Sequence, residues 1–71
     1  MYDDLTIPVD ESLPERIKEE IRVLEEAYIA NDVVAYMLNM DAVEVDLRAA
    51  LAAKCISPDV FHRMYSKFGW G

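Results

Sequence analysis

Residues 33–56 contain no Gly and no Pro, and 18 of these 24 residues are apolar. No other stretch limits the fold as strongly. With no breaker to interrupt it, the stretch reads as one helix from about 32 to 55. A helix apolar on most sides is buried on most sides. Two flanking helices cover only part of one this long, and the small run "AALAA" lets another helix approach closely. The pattern predicts the centre of a helical bundle. It also predicts a homodimer seam at Val43, Leu47, Ala50 and Leu51.

The segments on either side supply the flanking helices. Upstream, Leu13, Ile17, Ile21, Leu24 and Tyr28 recur at spacings of four, four, three and four, which is one apolar helical stripe. "SLPE" at 12–15 has the form of a capping box, Ser12 with Glu15, and Pro14 is tolerated in a first turn. A helix over about 13–30 follows, ended by Asn31-Asp32, either of which can cap its successor. Downstream, "SPD" at 57–59 puts a cap at Ser57 and Pro58 at the first helical position. Asp59 then sits at the positive end of the dipole. Phe61, Met64, Tyr65 and Phe68 form the stripe of a third helix over about 58–68. Gly69 stands where a left-handed residue is wanted, so Trp70 is expected to fold back on Met64 or Tyr65. Residues 1–11 read as an extended or disordered arm, because Leu5, Ile7 and Val9 alternate and Pro8 bars a central strand.

Length and charge narrow the function. A chain of 71 residues is one domain with a marginal core. Cys55 is its only cysteine, which excludes an intrachain disulfide and suits a reducing cytoplasm. The acidic start lacks the basic region of a signal peptide, and no apolar run approaches a membrane span. Residues 1–46 hold thirteen acids against three bases, whereas residues 47–71 hold four bases against one acid. Such asymmetry suggests a charged partner or self-association between unlike faces. Enzyme chemistry finds little footing. His62 is the only imidazole and Cys55 the only thiol, both glycines sit at the C-terminal end, and no metal-ligand spacing or cofactor motif is present.

Two resemblances bear on function. "AALAAKCISPDVFHRMYSKFG" resembles the helix-turn-helix of bacterial regulators. The resemblance implies buried Phe61 and Met64, and a groove-facing surface of Asp59, Val60, His62, Arg63, Ser66 and Lys67. A pI near 4.4 works against it, since DNA affinity rests on neutralising phosphates. More broadly, the acidic first helix, the alanine-rich second and the ending "IS…F…KFGW" resemble short uncharacterised proteins carried by bacterial phages and integrative elements. That likeness implies a small non-enzymatic accessory protein that occupies another protein's surface.

The expectation is therefore an all-α three-helix bundle with a long central helix, dimeric through that helix, cytoplasmic and without cofactor. Its expected role is a protein-binding module or inhibitor. The acidic face of the first helix, with Glu19, Glu20 and Glu26, would meet a basic partner surface. A DNA-binding regulator using His62, Arg63 and Lys67 is the alternative.

Overall fold

A computed structural model describes residues 1–70. It contains three α-helices and, among the described residues, no strand: α1 at Glu15–Ile29, α2 at Val33–Ala52 and α3 at Pro58–Lys67. The core is one cluster. α1 contributes Ile17, Ile21, Leu24 and Ala27, with Leu13 just ahead of it, and α2 contributes Tyr36, Val43, Leu47 and Ala50. Ile56 and the α3 residues Val60 and Met64, with Phe68 behind them, recur every fourth position and form the third wall. α1 and α2 run antiparallel, because Arg16 near the start of α1 meets Asp46 late in α2.

All three helices end in the same way. Asn31, Lys54 and Gly69 each adopt a left-handed backbone, with φ of 55°, 60° and 72°. The next residue reaches back to complete the cap: Asp32 N–H to Ala27 O, Cys55 N–H to Ala50 O and Trp70 N–H to Tyr65 O, at 2.8–2.9 Å. These are Schellman motifs, which satisfy carbonyls the helix leaves free. Asn31 and Gly69 are ordinary occupants of that position, and Lys54 is not. This is why α2 stops at Ala52, short of the Cys55 that the apolar run suggests.

The starts differ from one another. Asp32 caps α2 by accepting from Ala35 N–H, and Ser57 caps α3 by accepting from Val60 N–H. The expected capping box at Ser12 and Glu15 does not form. Asp10 captures Ser12 first, accepting from both its N–H and its hydroxyl at 2.9 and 2.6 Å. α1 then begins from Pro14 with no side-chain cap. Asp4 does the same to Thr6. The segment before α1 is thus two Asx turns. It lies across the bundle, with Ile7 and Val9 packed on the core.

Trp70 closes the tail. Its ring stacks on Phe68 at 4.9 Å and meets Tyr65 edge-on at 5.5 Å. A Cβ built on Gly69 would stand 3.1 Å from the Tyr2 ring. Trp70→Ala is expected to lower the melting temperature, since two aromatic pairs are worth about 0.5–1.5 kcal/mol each. Gly69→Ala should lower it too, because a left-handed Cβ is strained by about 1–2 kcal/mol. A thermal melt of either variant that overlays the parent would contradict this packing.

Candidate functional surface and its buried ion clusters

The exposed acidic face of α1 is narrower than its sequence suggests. Glu19 and Glu26 are exposed, and Glu19 pairs with Arg22 one turn on. Val23, 45% exposed, shares that face, and Ile29, 69% exposed, follows near the end of the helix. Glu20 does not belong with them. It turns toward α2 and meets Asp46, with Arg16 at 3.5 Å from Glu20 and 3.8 Å from Asp46.

Glu20 Oε1 and Asp46 Oδ2 are buried without a hydrogen-bond donor. When Glu20 is protonated its carboxyl can supply one, donating to Asp46. Burial, followed by the neighbouring Asp46 carboxylate, pushes the Glu20 carboxyl up to about 7, and Arg16 only partly opposes this. The unfolded chain releases that proton near the ordinary glutamate value, whereas the folded chain keeps it until about 7. The folded state therefore binds more protons across this window, and stability falls as pH rises through it. Glu20→Gln keeps a donor toward Asp46 and removes the second charge. It should raise the melting temperature at pH 8 and leave it nearly unchanged at pH 5. Equal effects at both pH values would mean that the two carboxyls do not share a proton.

Lys67 is the second buried cluster. Its side chain is 0% exposed and its ammonium touches Asp3 at 2.8 Å and Glu25 at 2.9 Å. It also donates to the carbonyls of Ile7 at 2.9 Å and Asp4 at 3.3 Å. Burial alone would lower its pKa, but bonding to Asp3 and Glu25 outweighs this and holds it above the usual lysine value. Burial pushes Asp3 upward, and the Lys67 bond offsets only part of that. Tyr36 adds a further tie, its hydroxyl donating to Tyr2 O at 2.6 Å. Together these bonds tie residues 2–7 to the end of α3 and to α2, with Glu25 of α1 sharing the ammonium.

The helix-turn-helix reading changes accordingly. Lys67 is a core cation with no surface to offer a phosphate. Val60, which that resemblance placed toward the groove, is buried as well. Arg63 is half-exposed and tied to Asp10. His62 is exposed, edge-on to Phe61. The expected set of His62, Arg63 and Lys67 is therefore divided between surface, ion pair and interior.

The residues expected to form a seam on α2 are mostly core residues. Val43, Leu47 and Ala50 are buried within one chain and Leu51 is half-buried. Val43, Leu47 and Ala50 are core residues with almost no side-chain surface for a second copy, and only Leu51 keeps part of its side chain in solvent. The apolar residues of α2 that do reach solvent are on its far side: Val34 at 68%, Met37 at 61%, Leu38 at 76% and Val45 at 61%. A helix apolar all round carries no sign of which side its own bundle covers.

No helix among the described residues is long and apolar enough to cross a membrane. No protein-family model, curated protein or solved structure matches the chain.

Proposed function

We propose that this protein is a non-enzymatic protein-binding module or inhibitor whose recognition surface is the outer face of α1, directed at a basic surface of its partner. The observation that carries this reading is the exposure of Val23 and Ile29 on a helix whose outward carboxylates include Glu19 and Glu26. Carboxylates steer a basic partner and fix its register, while apolar side chains among them supply contact area once water leaves. Glu20 takes no part, because it is committed to Asp46. A mobile-element setting, which the likeness to phage and integrative-element proteins implies, would suit a small protein that masks a nucleic-acid-binding groove.

The test begins with a pull-down from the native host to obtain the partner, followed by association kinetics with variants. Glu19→Lys with Glu26→Lys should slow association at low salt by about tenfold or more and leave the melting curve intact. Val23→Ala with Ile29→Ala should speed dissociation. If both double variants bind like the parent, α1 is not the recognition surface.

A further inference from the structure

The solvent face of α2 carries a second, independent pattern. Leu38, Ala42, Val45, Ala49 and Ala52 lie at alternating spacings of four and three, all exposed. This is the a/d spacing of a coiled coil, with alanine at the a positions and Leu38, Val45 and Ala52 at d. It lies on the opposite side of the helix from the buried Val43, Leu47 and Ala50. A helix needs only one such stripe to join its own bundle, so the second awaits another surface.

We infer that a second copy of this chain covers this face, with the two α2 helices antiparallel and the twofold axis passing near residues 43 and 44. Size complementarity favours this arrangement. Antiparallel a/d layers set Leu38 against Ala49 of the second copy, and Val45 against its Ala42, so each large side chain meets a small one. Parallel pairing in register would set Leu38 on Leu38 and Ala42 on Ala42, alternating crowded and empty layers.

Charge points the same way. Asp41 and Arg48, both exposed, flank one edge of the stripe, and Asp46 flanks the other. In the antiparallel pair, Asp41 lies beside Arg48 of the second copy, twice by symmetry. Arg48 remains 64% exposed while Glu44 and the Tyr65 hydroxyl, at 2.8 Å, hold its guanidinium. In the parallel pair, Asp41 would lie beside Asp46, carboxylate against carboxylate. This inference goes beyond the reading of α1, which uses a different helix face. The pair would display two α1 surfaces.

Light scattering on the full chain at high protein concentration should give twice the 8.1 kDa chain mass. Leu38→Glu and Val45→Glu should each return the mass to 8.1 kDa while far-ultraviolet circular dichroism stays helical. Asp41→Arg separates the orientations. It should weaken the antiparallel pair by roughly five- to tenfold, as two surface attractions become repulsions, and it would tighten a parallel one. A parent chain of single mass would overturn the self-pairing and leave the α1 surface, read by the Glu19 and Glu26 variants, unaffected. A Leu38→Glu chain of double mass would overturn the choice of face. Tightening on Asp41→Arg would overturn the antiparallel arrangement.

Discussion

Lys67→Ala should cost about 3–5 kcal/mol, the range for breaking a buried ion pair by removing one partner. Four groups lose by it. Asp3 keeps a buried carboxylate with no cation, Glu25 loses its ammonium, and the Asp4 and Ile7 carbonyls lose their donor. At this chain length the corresponding fall in melting temperature is about 12 °C or more. The amide of Asp4, which donates to Lys67 O at 2.7 Å, should also lose its protection from hydrogen exchange. Arg22→Ala is the control, since its pair with Glu19 is exposed and worth at most about 1 kcal/mol. Equal melting curves for Lys67→Ala and the parent would show that residues 2–7 are not held by this cation.

Leu47→Glu should abolish the cooperative unfolding transition altogether. Leu47 is fully buried between α2 and the rest of the core. Truncating such a leucine costs about 2–5 kcal/mol, and an unpaired carboxylate in its place adds several more. The whole stability of a chain this size is about 4–11 kcal/mol at roughly 0.05–0.15 kcal/mol per residue. Circular dichroism on heating would show the loss directly. A Leu47→Glu chain that melted normally as a single copy would mean that α2 turns its other side to the core.

Much of this architecture follows from local chemistry that a sequence displays. Asp32, Ser57 and Gly69 each act within three residues of themselves, so their caps were visible before any packing was known. The stripe from Leu13 through Leu24 is as regular in the fold as in the sequence. What stayed hidden depends on segments distant in the chain. A lysine in the last turn of a short helix reads as a solvated cation, because nothing nearby announces that Asp3 and Glu25 will enclose it. Glu20 reads as one more acid on a polar face until Asp46 arrives from α2. Asp10 could have been noticed: an Asx turn at 10–12 competes with the Ser12 cap, and "DLTI" and "DESL" share one spacing. On α2 the difficulty was an excess of signal, since both faces carry apolar side chains at helical spacing and only the covering helices distinguish them.

The clasp around Lys67 has a further consequence, in the order in which the molecule assembles. Its bond to the Asp4 carbonyl joins residues 63 apart in a chain of 71. α1 and α2, by contrast, meet across a three-residue turn at 30–32. Closing a long loop is entropically slower than closing a short one. The helical hairpin is therefore expected to form early, with residues 2–7 docking after the folding barrier has been crossed. Contacts made after the barrier slow unfolding and leave the folding rate nearly untouched. Lys67→Ala is thus expected to shorten the lifetime of a folded molecule while leaving the rate at which one appears nearly unchanged, and stopped-flow folding and unfolding rates would check this.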